Sequence, residues 1–520
     1  MLSLLLWLPL IGAIALLLAP PQWSVVRLRN IAGVLTLLVF LLSCYLLSQF
    51  DLGNGGWQFQ EYHAWAQPIG LSYSLAVDGL SLPLLVMGNL LTLIAIYTIT
   101  GAPHETTAGA LRDRPRLYYS LILLVNAGVT GALSAQNLLL FVLFYELELI
   151  PFYLLISIWG GPKRSYAAIK FLLYTAVSGL FVLAAFLGIT FLSQSTSFDY
   201  GLLTTDGLEL KVRLILLTML LIGFGIKIPL VPLHTWMPDA YVEASPATAI
   251  LLGGILAKLG TYGLIRFGLQ LFPDTWTLIG PGLAAIGTIS VLYGALSAIA
   301  QKDIKRMVAY SSIGHMGYML VAAAAGTRLS ILGAVAQMIS HGLILALLFF
   351  LVGIVERKAG TRDLDVLNGL MNPIRGLPLT SALLIAAGMA SAGIPGLVGF
   401  VAEFMVFQGS FTTFPLPILV CIFASGLTAV YFVILLNRTC FGKLDNAIAY
   451  YPTVLLSERW PALALAAIIL FLGVQPQWLV RWIQPTTNAL AAQFPTVLAD
   501  QFATQQPTLA PDLPPAMAHR

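Results

Sequence analysis

The sequence predicts an all-α membrane protein of about fourteen transmembrane helices, built around two inverted five-helix repeats, spans 4–8 and 9–13, each with a broken helix. Three observations lead there. Of 520 residues, 58% are hydrophobic and 9% charged, with a mean hydropathy of +0.89. A soluble chain is about one-quarter charged, so lipid must serve as solvent for much of this one. About fourteen apolar stretches reach roughly 18 residues, enough for a helix to cross a hydrocarbon core about 30 Å thick. Two of these are too long for one crossing and are interrupted by proline and glycine.

Spans 1 to 3, at about 2–20, 30–50 and 79–100, make an N-terminal segment over 1–110. No basic residue precedes the first apolar run, as one would in a cleaved signal peptide, so it is read as a mature helix. Spans 4 to 8, at about 115–134, 136–159, 166–193, 212–244 and 246–270, form the first repeat, 111–270. Spans 9 to 13, at about 277–300, 304–325, 328–355, 378–411 and 415–437, form the second, 271–440. Span 14, at about 460–482, lies in a C-terminal helical segment, 441–483. The tail 484–520 is rich in Pro, Gln and Thr and is expected to have no core and little fixed structure. Of the 26 Lys and Arg, eighteen fall in loops on one side and six on the other, leaving Lys227 and Lys258 inside spans. Basic residues accumulate on the cytoplasmic side, which places both termini on the opposite side.

Span 7 runs about 33 residues, roughly 50 Å as a helix. It contains Lys227-Ile228-Pro229-Leu230-Val231-Pro232. Each proline removes a backbone donor and clashes with the preceding turn, so the helix should break just after Lys227. Span 12 is interrupted in the same way by Gly393-Ile394-Pro395-Gly396. Irregular backbone at membrane depth is tolerated where protein buries it or water reaches it. Each break falls in the fourth member of its repeat, and an odd number of spans makes the two repeats opposite in orientation, which is a transporter pattern. Chance coincidence of Pro and Gly in two membrane helices is the alternative.

Glu146 and Glu148 lie in span 5, Lys227 in span 7, Lys258 in span 8, His315 in span 10, His341 in span 11 and Glu403 in span 12. A lone charge at the centre of a membrane helix costs about 2.5–3.5 kcal/mol, so the five carboxylates and ammoniums together would cost on the order of 10 kcal/mol unless paired, hydrated or neutralised. Burial disfavours charge and a nearby opposite charge favours it, so each group is switched by its neighbour. The expected path runs from a Glu146–Lys227 pair to Lys258, then through His315 and His341 to Glu403. Blander readings stand beside this one. Glu146 and Glu148 lie about 200° apart on a helix and cannot face one partner, and Glu148 also reads as a packing charge between helices. The histidines also read as buried hydrogen-bonding groups or as haem ligands, Lys258 as a lysine snorkelling to the interface, and Lys170 as another.

Cys44, Cys421 and Cys440 lie far apart without a C-x-x-C pair, so neither an iron–sulfur cluster nor zinc has its usual ligand spacing. No G-x-G-x-x-G follows a strand pattern, and no basic run is dense enough for a nucleic-acid surface. No metal, cofactor or nucleic acid is expected on this chain.

Several motifs resemble the antiporter-like membrane subunits of complex I and its photosynthetic relatives, the chain 4 branch in particular. They are Tyr145-Glu146-Leu147-Glu148-Leu149-Ile150-Pro151, Lys227-Ile228-Pro229, and Pro232-Leu233-His234-Thr235-Trp236-Met237-Pro238-Asp239-Ala240. Asp303-Ile304-Lys305-Arg306, His315-Met316-Gly317, Ser340-His341-Gly342 and Gly399-Phe400-Val401-Ala402-Glu403-Phe404 complete the set, within a match that runs from about Asp78 to Cys440. The resemblance implies a fourteen-helix subunit that moves protons while partner subunits, carrying iron–sulfur clusters, oxidise a donor and reduce plastoquinone. By motif position it places the family's key glutamate on Glu146, its lysines on Lys227 and Lys258, and its exit-side glutamate on Glu403. His234, Asp239, Lys305 and Glu148 are secondary candidates. The chain departs from the family at Tyr145, where tryptophan is usual, and at Tyr241, where histidine is common. The implied location is a cyanobacterial thylakoid membrane with lumenal termini. The implied partners are protons, lipid and other membrane subunits, joined by carbonic-anhydrase-like subunits if the complex is the form that supports carbon dioxide uptake. The competing functions are a stand-alone cation/proton antiporter and a non-conducting scaffold.

Overall fold

A computed structural model describes residues 1–98, 114–442 and 451–494. The expected boundary at 110/111 and the tail from 495 to 520 lie outside the described residues. The chain is mostly helical, as its composition requires. Eight described helices are long and apolar enough to cross a membrane, or nine if one bent pair counts as a single span.

Helices α1 (Leu2–Leu17) and α2 (Val25–Ser48) open the chain, with Ser24 Oγ capping α2 by accepting from Arg27 N at 3.2 Å. An antiparallel hairpin, β1 (Gln58–Ala66) and β2 (Leu71–Val77), follows and departs from the all-α expectation. Its second strand carries the strand signal in Leu71-Ser72-Tyr73-Ser74-Leu75, which alternates apolar and polar residues, whereas β1 shows no such regular alternation. Asp78 Oδ1 then caps α3 (Ser81–Tyr97) by accepting from Leu80 N and Ser81 N, both at 3.0 Å.

The span after α4 (Pro115–Ser134) is split at Glu148 into α5 (Leu138–Leu147) and α6 (Leu149–Trp159). Pro151 has no N–H to give the Leu147 carbonyl, so the helical ladder is interrupted there. After α7 (Arg164–Leu192), helix α8 (Leu210–Lys227) stops at the lysine, and α9 (Trp236–Glu243) resumes beyond the prolines. Leu230 N reaches the Gly225 carbonyl at 2.9 Å in place of Pro229, and Trp236 Nε1 reaches the Ile226 carbonyl at 2.8 Å. Those bonds satisfy backbone groups that a break in lipid would otherwise strand.

Helix α10 (Pro246–Leu269) contains two wide π turns, Leu252–Leu256 and Leu264–Leu269. Next come α11 (Pro273–Ile299), α12 (Ile304–Ala325) and α13 (Arg328–Ala359). The expected second break separates α14 (Pro378–Ser391) from α15 (Val398–Phe411), and α16 (Pro415–Thr439) follows. Helix α17 (Leu456–Val474) bends by 70° into α18 (Gln477–Ala491). The expectation of a structureless tail from 484 is therefore corrected as far as 491: Thr486, Thr487 and Leu490 are buried, and Thr486 Oγ1 accepts from Gly79 N at 2.9 Å. The most apolar stretches of α10 and α13 are wholly buried, whereas α2, α7 and α16 turn large apolar side chains such as Leu41, Leu180 and Phe423 outward. This is the arrangement of a multi-pass integral membrane protein, with lipid as the outer solvent.

Candidate functional site

Glu148, Lys227, Lys258, His315, His341 and Glu403 are all 4% exposed or less, and they fall into two groups. The first is built on the two breaks. Lys227, at the end of α8, donates to Glu148 Oε1 at 2.7 Å and to the Tyr145 carbonyl at 3.2 Å, and it sits 3.2 Å from the Tyr145 ring centroid. An ammonium here also meets the negative end of α5. The Glu148 Oε2 atom is buried and makes no hydrogen bond within the described chain. Glu146 faces elsewhere: a Cβ added to Gly179 of α7 would overlap its carboxylate. The expected direct Glu146–Lys227 pair is thus corrected to Glu148–Lys227. The turn at Glu148 swings that side chain onto α8, while Glu146 stays on the last regular turn of α5.

The second group crosses α10, α12, α13 and α15. Lys258 Nζ lies 2.5 Å from the Gly253 carbonyl and 2.9 Å from His341 Nδ1. The His341 and His315 ring centroids are 5.0 Å apart. His315 Nδ1 lies 3.2 Å from Glu403 Oε1 and 3.3 Å from Gln337 Nε2, and its Nε2 is 3.1 Å from Ser391 Oγ. Ser425 Oγ donates to Glu403 Oε2 at 3.2 Å. The histidine order is the reverse of the expected one: Lys258, His341, His315, Glu403. Nδ1 of His315 cannot serve both neighbours in one state. With a proton it donates to Glu403, and without one it accepts from the Gln337 amide. At the second break Gly393 has φ +69, and a Cβ there would come within 2.8 Å of Glu403 Oε2, so glycine lets the backbone approach the carboxylate.

Among the described residues no hydrogen bond joins Lys227 to Lys258. The two groups meet through backbone, since a Cβ on Gly260 of α10 would lie 3.0 Å from Ile228 N and 3.2 Å from Lys227 Cβ.

The other secondary candidates, His234, Asp239 and Lys305, lie around α9. Asp239 pairs with Lys170 at 2.8 Å and with Arg306 at 3.3 Å. Lys305 donates to the Ala244 carbonyl at 2.6 Å and lies 3.8 Å from Glu356. His234 packs edge-on against Tyr293 at 4.7 Å, with Nδ1 buried and unbonded. Sequence reasoning passed over Gln337, Ser391 and Ser425, and also the buried Asp78–Arg266 ion pair under Trp57. Gln337 carried a usable signal, being four residues before His341 and therefore on the same helical face.

Such an arrangement can pass protons between neighbouring acids and bases. Residues 135–428 match the family described as NADH:quinone oxidoreductase/Mrp antiporter, transmembrane. A protein named NAD(P)H-quinone oxidoreductase chain 4 1 from Synechococcus sp. (strain JA-2-3B'a(2-13)) is 40% identical over 511 residues, covering 96% of this chain and 94% of that one. The protein of the same name from Nostoc sp. (strain PCC 7120) is 38% identical, covering 96% and 93%. Among solved structures, a chain of respiratory complex I from Thermus thermophilus with bound NADH superposes with a TM-score of 0.84 at 28% identity, covering 95% of this chain and 99% of that one. A chain of the Mrp complex from Dietzia sp. DQ12-45-1b shares the fold, with a TM-score of 0.83 at 21% identity, covering 94% and 97%. On this similarity, which takes in nearly the full length and the helices that hold the buried acids and bases, the chain belongs to the NADH:quinone oxidoreductase/Mrp antiporter membrane-subunit family, alongside the NAD(P)H-quinone oxidoreductase chain 4 proteins.

Proposed function

We propose that this chain translocates protons as a membrane subunit of a complex I-like NAD(P)H- or ferredoxin-quinone oxidoreductase, with no redox step on the chain itself. The observation that carries this reading is the buried series Glu148–Lys227 and Lys258–His341–His315–Glu403, which packing alone does not call for. In this reading the chain has fourteen spans, with units 111–270 and 271–440 inverted relative to each other and both termini lumenal in a thylakoid membrane. Moving one charge against 100 mV costs about 2.3 kcal/mol, so the driving energy comes from quinone reduction, here of plastoquinone, in partner subunits that carry iron–sulfur clusters.

The buried pair works as a switch. While Glu148 holds the Lys227 ammonium, the proton stays. When the pair opens, the uncompensated ammonium is the less stable form and gives its proton towards Lys258. The His315 nitrogen with its two alternative partners then passes a proton to Glu403. In the assembled complex, Lys227→Ala and Lys258→Ala are each expected to lower proton translocation per electron by at least about tenfold while the complex still assembles. Unchanged coupling in both variants would leave the chain a scaffold. Carbonic-anhydrase-like proteins that co-purify in mild detergent would identify the form that supports carbon dioxide uptake.

A further inference from the structure

Tyr241 takes no part in the buried series described above, and its placement gives it a different task. It lies fully buried on α9, and its hydroxyl donates to the Leu252 carbonyl at 3.0 Å. Leu252 opens the first π turn of α10, and the next carbonyl in that turn, on Gly253, is the one that accepts from Lys258 Nζ. Two successive carbonyls of one wide turn are therefore held by two side chains, one from α9 and one from the lysine. Such turns are single-turn departures from the α-helix that depend on local partners.

Helix α9 is itself gripped from outside. Its last carbonyls take cations from beyond α10: Val242 accepts from Arg362 Nη1 at 2.9 Å and Ala244 from Lys305 Nζ at 2.6 Å. Both cations sit at the negative end of the helix. Asp239 is held by Lys170 and Arg306. The Tyr241 ring also packs on Phe349 of α13, the helix that carries His341, with centroids 5.5 Å apart.

We infer that Tyr241 is a positioning residue: braced by Lys305 and Arg362 through α9, its hydroxyl sets the π turn whose Gly253 carbonyl orients the Lys258 ammonium towards His341. A phenol offers its O–H at every working pH, whereas the donor of an imidazole depends on tautomer and charge, so this tether does not titrate along with the relay. From the neighbouring elements, the titratable group facing Lys258 Nζ is His341 on α13, with His315 behind it. No carboxylate lies within ion-pair distance of Nζ among the described residues.

The inference rests on the proton-transfer reading above, and its test separates the two. In the assembled complex, Tyr241→Phe removes only the hydroxyl. Protons translocated per electron, normalised to uncoupled quinone reduction, are expected to fall about three- to tenfold, as loss of one hydrogen bond predicts. The pH profile of translocation should move while that of uncoupled quinone reduction does not, and hydrogen exchange at the amides of 253–258 should quicken. Lys305→Ala should reproduce the same shift from a distance, and Lys305→Arg should restore the wild-type profile. A Tyr241→Phe complex with wild-type pH profile and exchange overturns the positioning role, even if Lys258→Ala abolishes translocation. Wild-type translocation in Lys258→Ala would instead remove the proton-transfer reading itself.

Discussion

Lys227 shares one buried ammonium among a carboxylate, a carbonyl and an aromatic face. Removing one partner of a buried ion pair leaves the other charge uncompensated, at a cost of about 3–5 kcal/mol. Glu148→Gln is therefore expected to lower both proton translocation, by about tenfold or more, and the thermal midpoint of the complex. Glu146→Gln keeps the Lys227 pair and should affect both less. Translocation in vesicles and a melting curve for each variant check this, and equal or reversed effects would return the pairing to Glu146. Charged and titratable residues stand out in apolar runs, so Lys227, Lys258, His315, His341 and Glu403 could be found by reading along the chain. Which of two glutamates meets the lysine could not, because it depends on a local turn that rotates residue 148 against residue 146.

Among the helices, the breaks after Lys227 and around Pro395 follow directly from proline chemistry, and both lie where the sequence puts them. The π turns of α10 have no comparable local signature, and of the hairpin only β2 does, in the alternation Leu71-Ser72-Tyr73-Ser74-Leu75. Helix α12 shows how a loop residue fixes an element: Asp303 Oδ1 accepts from Lys305 N at 2.8 Å and Arg306 N at 3.1 Å, while its other oxygen meets Arg362 Nε at 3.1 Å. Asp303→Ala should lower stability by about 0.5–2 kcal/mol through loss of the cap. A denaturation midpoint unchanged from wild type would show that the first turn is held by tertiary packing alone. Because the same turn carries Lys305, the variant is also expected to loosen the grip on α9.

Across the whole molecule, segments far apart in sequence are joined by charge, two loops here meeting the last turn of α16. Asp365 lies 2.8 Å from Lys302 and 2.5 Å from Arg438. Lys302 above all, and then Arg438, hold the Asp365 carboxyl below its ordinary range, while Asp365 raises the Lys302 ammonium. A carboxyl whose folded value is depressed adds stability that is present above its unfolded value and is lost as pH falls through the folded one. The melting-temperature difference between wild type and Asp365→Asn should therefore be small but measurable at neutral pH, shrink below the ordinary carboxylate range, and shrink with added salt. A difference that grows in acid would refute this assignment.

What the sequence determined by itself was the membrane class, the places where helices break, and the set of titratable groups submerged among apolar residues. Each of these depends on composition or on backbone chemistry within a few neighbouring residues. The pairings were decided only by the tertiary structure: Glu148 with Lys227, Lys258 with His341, His315 with Glu403, and Tyr241 with the Leu252 carbonyl. They depend on how helices distant in sequence rotate and approach one another, which is set by packing along their whole lengths rather than by any short motif.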